Sequence, residues 1–266
     1  MQLSEAVICW LRYVQRFTPR TQLHYRFVIL RFLDYAPEFA ENLTLEHIER
    51  YIDSIKHSNR TKNAHLTAIR SFTRYLSEHQ DIPNPCLKIK MLREDPPKRR
   101  YLSPEEVEKI LSVCKKDGEK KVIQFLICTG LRVSELQALQ PNNVSYDLKS
   151  IRFTGKGRKE RVVPLNETAK AIISNNGKPT MNFLKSFRKR NSLFALTKRL
   201  SCRAAVPQFS PHALRRFFAT QLLRKGVKGG IYTVSQLLSH ADVRTTQRYI
   251  GFTGADLEGS TDCLDD

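Results

Sequence analysis

Between Ile82 and Arg100 the chain loses its hydrophobic periodicity, and Pro83, Pro85, Pro96 and Pro97 stand among Lys88, Lys90, Arg93, Lys98, Arg99 and Arg100. Proline removes a backbone donor and restricts the residue before it, so neither a helix nor a paired strand runs through such a stretch. A chain of 266 residues interrupted in this way builds two cores, and at 41% hydrophobic it has the material for both. We expect a domain at 1–87, an extended basic linker at 88–100 and a second domain at 101–266.

Upstream of the break, apolar residues recur at helical spacing in four segments: Leu3, Val7, Ile8, Leu11 and Val14; Tyr25, Val28, Ile29, Phe32 and Leu33; Leu45, Ile48, Tyr51 and Ile52; Leu66, Ile69, Phe72 and Tyr75. Each set makes one apolar stripe, and the breaks around Pro19, Pro37 and His57 are short, which predicts a four-helix unit. Arg20, Arg26, Lys56, Arg60, Lys62, Arg70 and Arg74 fall on outward positions. Downstream, Ser103-Pro104-Glu105-Glu106 supplies a cap, a first-turn proline and a capping-box glutamate, predicting a helix over 103–114. Lys149 to Thr154 and Arg161 to Leu165 are β-rich runs flanking Gly155-Lys156-Gly157-Arg158-Lys159-Glu160, which reads as a hairpin with a glycine-bearing turn. Another helix opens at Ser210-Pro211. The expected fold is mainly α: a four-helix domain, then a mixed α+β domain with a small antiparallel sheet.

Charge narrows the function classes. Lys and Arg number 45 against 26 Asp and Glu, a net charge of +19. The excess is uneven: residues 1–90 hold 13 basic and 9 acidic side chains, residues 91–254 hold 32 and 12, and residues 255–266 hold 0 and 5. From Thr168 to Ala241 no acidic residue occurs. A balanced surface would interleave both signs, so this field favours a polyanion, and nucleic acid above others. The longest apolar run, Val122 to Cys128, contains Gln124 and is far shorter than the roughly 20 residues of a spanning helix. Glu5 interrupts the apolar start, unlike a signal peptide, so a cytoplasmic protein without a membrane partner is expected. Cysteines at 9, 86, 114, 128, 202 and 263 include no Cys-x-x-Cys pair, which favours reduced structural thiols over a zinc cluster or disulfide scaffold.

Four segments of the second domain stand in a fixed order: Thr129-Gly130-Leu131-Arg132-Val133-Ser134-Glu135-Leu136; Gly155-Lys156-Gly157 through Val163-Pro164-Leu165; His212-Ala213-Leu214-Arg215; and Leu237-Leu238-Ser239-His240 followed by Thr245-Thr246-Gln247-Arg248-Tyr249. Their order, types and spacings resemble the tyrosine recombinase, or phage integrase, family. The resemblance implies a SAM-like core-binding domain before a catalytic domain. It also implies that Arg132 and Arg215 clamp a phosphate, Lys156 is the hairpin lysine, His212 and His240 are the active-site histidines and Tyr249 is the nucleophile. The partner it implies is a double-stranded DNA site, bound by a tetramer of protomers on two sites, with no cofactor, metal or ATP.

Physical chemistry supports each role separately. Guanidinium groups meet non-bridging phosphate oxygens with parallel hydrogen bonds and keep their protons, so two arginines can do much of what a metal would. His212 and Arg215, three apart at a helix start, share one face near the amide-rich end. Tyrosine, with a pKa of about 10, needs nearby cations or a base to lose its proton. Glu135 reads as structural, orienting Arg132.

Departures from the family pattern are Ser239 where glycine usually precedes the second histidine, Arg216-Phe217 where a histidine often follows, and an unusual Lys225 to Thr233 segment. In relatives a C-terminal segment often docks on the neighbouring protomer, a role open to Leu257 to Leu264. Two other readings share these features: a type IB topoisomerase-like enzyme, and a non-catalytic helical DNA-binding regulator. Against the latter, a pure binder has no need for a tyrosine beside two arginines and two histidines.

Overall fold

The computed structural model describes residues 1–95, 99–154, 160–189 and 191–239, together with Val243 and Thr246. The chain divides into two compact units, Met1–Pro97 and Lys98–Asp266.

The first unit is built on α1 (Leu3–Tyr13), α2 (Pro19–Phe32), α3 (Leu45–Ser54) and α4 (Asn59–Gln80). Pro19 opens α2 rather than ending α1: it occupies the first turn, where its missing N–H is no loss, and the Thr18 hydroxyl accepts the Thr21 N–H. At the centre lies Trp10, fully buried, stacked on Tyr25 at 5.6 Å and meeting the Phe72 ring edgewise at 5.5 Å. Aromatic pairs in these geometries add to the area they bury. Most of the expected stripe is interior, but Ile8 and Leu45 are exposed. The buried face of α1 is Leu3, Ala6, Val7 and Trp10, and Ile8 lies one residue off that stripe.

Inside the unit Tyr51 and His65 share a 2.8 Å hydrogen bond. Burial pushes the Tyr51 hydroxyl up to about 12. Burial, then the charges of His24 and Arg31, hold His65 below its ordinary value.

The aperiodic stretch after α4 is tied down along that helix. Asn63, itself buried, accepts the Leu92 N–H at 2.9 Å and donates to the Leu92 carbonyl and to Glu94, both at 2.9 Å. Asn59 donates to the Arg93 carbonyl, Arg60 pairs with Glu94, and Arg70 donates to the Ile89 carbonyl. Of the residues expected to face outward, Arg20, Arg26, Lys56, Arg60 and Arg74 are exposed, Arg60 while also holding this strap, whereas Lys62 and the strap-holding Arg70 are half-buried.

The second unit contains α5 (Pro104–Ser112), α6 (Asp117–Thr129), α7 (Val133–Ala138), β1 (Ser150–Thr154), β2 (Glu160–Pro164), α8 (Glu167–Ile173), β3 (Ser174–Asn175), β4 (Lys178–Pro179), α9 (Ser192–Arg203), α10 (Pro211–Arg224) and α11 (Gly230–Leu237). The capping box at Ser103 and Glu106 is formed in both directions. The expected hairpin is present, β1 antiparallel to β2 with Ile151 opposite Val163. Helix α6 packs against α8 and α10, and its Val122, Ile123, Phe125 and Leu126 form the core with Ile151 and Val163. A smaller cluster, Phe218, Ala219, Val234 and Leu238, joins α10 to α11.

Several cations of the acid-free stretch keep an exposed surface yet hold acceptors of the unit. Arg199 and Arg203 hold the buried Glu119 at 3.2 and 3.1 Å. Burial alone would raise the Glu119 carboxyl, but these arginines and the Lys115 N–H outweigh it and keep the group below its ordinary range. Arg188 donates to the carbonyls of Gln137 and Leu139, closing the end of α7. Cys9, Cys86, Cys114, Cys128 and Cys202 are free thiols. Among the described residues no helix is long and apolar enough to cross a membrane.

Candidate active site

The site begins where α6 ends. Gly130 closes α6 with φ +59°, and a Cβ there would stand 2.3 Å from the Phe218 ring. Glycine therefore serves twice: it adopts the left-handed turn without steric cost, and it lets α10 approach the end of α6. That approach brings Arg215 to Gly130, whose carbonyl accepts from the Arg215 Nη1. The same turn sets Arg132 at the start of α7, where the Glu135 carboxylate accepts the Arg132 backbone N–H at 2.7 Å.

Glu135 is the hub. One carboxylate oxygen accepts from the Arg132 guanidinium at 2.7 Å. The other accepts from the Arg161 guanidinium at 2.6 Å and lies 3.9 Å from that of Arg215. Beyond the carboxylate, the three guanidiniums turn to successive carbonyls at the end of α11. Arg161 donates to Leu237, Arg215 to Leu238, and Arg132 to Leu238 and Ser239 at 3.3 Å each. A helix C-terminus presents unsatisfied carbonyls and the negative end of its dipole, which suits cations. Burial alone would raise Glu135, but the Arg132 N–H and the charge of Arg161 hold it below the usual carboxylate range. Glu135, expected as a support for Arg132 alone, serves all three arginines.

No motif singles out Arg161. Its signal is strand alternation: in β2 the exposed Val162 separates buried Val163 from buried Arg161, so the arginine occupies an inward position. The two motif arginines lie at different depths, Arg215 only 1% exposed and the Arg132 side chain 37%. His212, one turn before Arg215 on α10, retains an exposed surface. The protein around its ring, followed by the charges of Arg215, Arg216 and Arg132, holds its pKa below the ordinary value. Its neutral form is the one favoured near neutrality. The remaining predicted residues, Lys156, His240 and Tyr249, lie outside the described residues. A cleft of about 610 Å³ at the start of α6, lined by Lys116, Phe183, Phe187 and Arg199, contains none of the predicted residues.

Residues 100–253 match the phage integrase family. The chain belongs to that family. Over 94% of its length it is 29% identical to tyrosine recombinase XerD of Oceanobacillus iheyensis, 93% of which is covered. It is 30% identical to tyrosine recombinase XerC of Natranaerobius thermophilus across 79% of this chain and 78% of that protein. In fold it is similar to a XerA recombinase, with TM-score 0.53, 24% identity, and 98% and 99% of the two chains covered. It is also similar to a lambda integrase dimer bound to a COC′ core site, with TM-score 0.73, 14% identity, and 96% and 97% covered. This integrase-family chain is a site-specific tyrosine recombinase. Its departure at Ser239 now has a physical reading. Ser239 adopts φ +48°, the left-handed region in which glycine is at ease, and it still presents its carbonyl to Arg132.

Proposed function

We propose that this recombinase cuts one strand of double-stranded DNA at a defined site with Tyr249 as nucleophile, Arg132 and Arg215 clamping the scissile phosphate, and Lys156, His212 and His240 moving protons. The Tyr249 oxygen forms a bond to phosphorus as the bond from phosphorus to the 5′ oxygen breaks. The tyrosine proton passes to a histidine, His212 in its neutral form or His240, and Lys156 protonates the departing 5′ oxygen. The strand is left as a 3′-phosphotyrosyl ester beside a free 5′ hydroxyl. Attack by the 5′ hydroxyl of a partner strand reverses these steps, and because the ester retains the energy of the broken linkage, neither ATP nor a metal is consumed.

The observation that carries the proposal is the convergence of Arg132 and Arg215 on the Leu238 carbonyl, with both charges acting on His212. These residues come from separate parts of the chain, and fixed cations aimed at one point are what a phosphoryl transition state requires. The basic surplus of residues 91–254 supports a DNA partner, and the DNA complexes of integrase relatives support it further. Strand exchange between two sites requires four cuts, so we assign the working assembly as a tetramer on two DNA sites, acting in the cytoplasm.

The test is to incubate the protein with a nicked target duplex in the presence of a metal chelator. A denaturant-resistant protein–DNA adduct is expected, absent from Tyr249→Phe. An adduct that survives in Tyr249→Phe, or one that forms only with Mg²⁺, overturns the mechanism.

A further inference from the structure

Arg161 lies on β2, the strand paired with β1, and its side chain is 7% exposed. Its guanidinium donates in two directions at once, to Glu135 through Nη1 at 2.6 Å and to the Leu237 carbonyl through Nε at 2.9 Å. Leu237 ends α11, and the next two carbonyls, of Leu238 and Ser239, are those that Arg132 and Arg215 use. We propose that Arg161 is a positioning residue for strand cleavage: by bridging Glu135 to the end of α11 it sets the direction of the Arg132 and Arg215 guanidiniums. This rests on the reading of those two arginines as the phosphate clamp.

The reasoning is geometric. A buried ion pair contributes little net stability, since its attraction is spent against desolvation, and an apolar side chain of similar size can serve the core as well. What an apolar side chain cannot do is hold an anion and a carbonyl in one plane, which the rigid fork of a guanidinium does. Without Arg161, Glu135 loses one of the cations sharing its oxygens, and the remaining arginines are drawn toward it. At the same time the Leu237 carbonyl loses its tie to β2. Both changes reorient Arg132 without removing any group proposed to touch DNA. A displacement of about 1 Å in a positioned group is sufficient to slow a reaction about 10²-fold.

The experiment compares single-turnover cleavage by the full-length parent, Arg132→Ala, Arg161→Met and Arg161→Lys on two nicked duplexes. One carries the normal scissile phosphate; the other has a methyl group in place of one non-bridging oxygen, a methylphosphonate, which removes the charge the arginines meet. Each rate is taken relative to the parent on the same duplex, with DNA affinity and the unfolding midpoint measured alongside. On normal DNA, Arg132→Ala is expected to lose roughly 10²–10³-fold, Arg161→Met about 10²-fold, and Arg161→Lys, which keeps the charge but not the fork, less than Arg161→Met. On the methylphosphonate both defects shrink together, because misdirected guanidiniums matter only while the oxygen is charged. A merely structural role gives the same defect on both strands and overturns the proposal, as does an Arg161→Met variant with parental rate beside a slow Arg132→Ala. Should Arg161→Met fail to fold, Arg161→Lys decides the question by the same comparison. If Arg132→Ala itself cleaves at the parental rate, the clamp reading falls and the proposal with it.

Discussion

Arg132 and Arg215 donate to the same carbonyl oxygen, that of Leu238. Two guanidiniums brought together repel, so the arrangement needs acceptors between and around them. Glu135 supplies one, the end of α11 supplies the others, and the Gly130 carbonyl takes a further donor of Arg215. In the proposed mechanism a scissile phosphate is one more anion for the same cations, whose donors are ordered in advance.

The two arginines of the proposed clamp are expected to fail differently. Arg132→Ala, at a side chain 37% exposed, leaves stability near that of the parent while cleavage falls roughly 10²–10³-fold. Arg215→Ala, at a side chain 1% exposed, loses cleavage and also roughly 3–5 kcal/mol of stability, because its partners stay buried. Denaturant unfolding and single-turnover cleavage read the two quantities; equal stability losses would contradict the difference in depth.

Gly130→Ala is expected to destabilise the second unit by two separable effects. The left-handed φ costs about 1–2 kcal/mol for any residue with a Cβ, and that Cβ would overlap the Phe218 ring at 2.3 Å. In a Phe218→Ala background, which removes the overlapping ring atoms but not the backbone cost, the penalty of Gly130→Ala should shrink without vanishing. Thermal unfolding of the single and double variants checks this, and a penalty that vanished would rule out the backbone contribution.

Ser239→Gly removes a Cβ from φ +48°. Part of the steric gain is offset by the greater freedom of glycine in the unfolded chain, leaving an expected stabilisation of up to about 1 kcal/mol. Cleavage should be retained, since the carbonyl that accepts from Arg132 belongs to the backbone. A lower unfolding midpoint for Ser239→Gly would count against the left-handed assignment.

His212 is expected to titrate below 6.5, held down by burial and then by Arg215, Arg216 and Arg132. If the neutral ring takes the tyrosine proton, cleavage rises with pH through that lowered value and is level above it. Arg216→Gln removes one of the depressing charges, so the midpoint should move up toward 6.5. NMR titration of the ring and the pH–rate profile measure the same shift; a midpoint above 6.5 in the parent contradicts it.

Asn63→Ala should free the strap that follows α4. Asn63 accepts the Leu92 N–H and donates to the Leu92 carbonyl, so hydrogen exchange at Leu92 is expected to accelerate by at least about tenfold while the centre of α4 stays protected. Unchanged exchange at Leu92 would show that the neighbouring contacts hold the strap without Asn63.

The helices of the first unit are legible from apolar spacing because a stripe records which side of a helix meets a core. Pro19 marks the expected break between two of these helices, and with the Thr18 cap it opens the second. The summed charge of residues 168–241 is legible too, but not its disposition. Arg188, Arg199 and Arg203 remain exposed, yet each is also engaged within the unit, by carbonyls or by the buried Glu119.

Motif order nominates Arg132, His212 and Arg215 for the candidate site, since residue type at a given spacing is a property of the chain. Local signals also suffice for the Ser103 capping box and the β1–β2 hairpin, whose interactions close within a few residues. Sequence does not say that Arg215 is buried while Arg132 keeps an exposed edge. Nor does it say that one carboxylate serves three arginines, or that Arg161 joins them. Those facts depend on Phe218 seating α10 against Gly130 and on α11 bringing its final carbonyls to the same point. Spacing along a chain encodes which face of an element is apolar; the distance between two elements far apart in sequence is set by how their side chains pack.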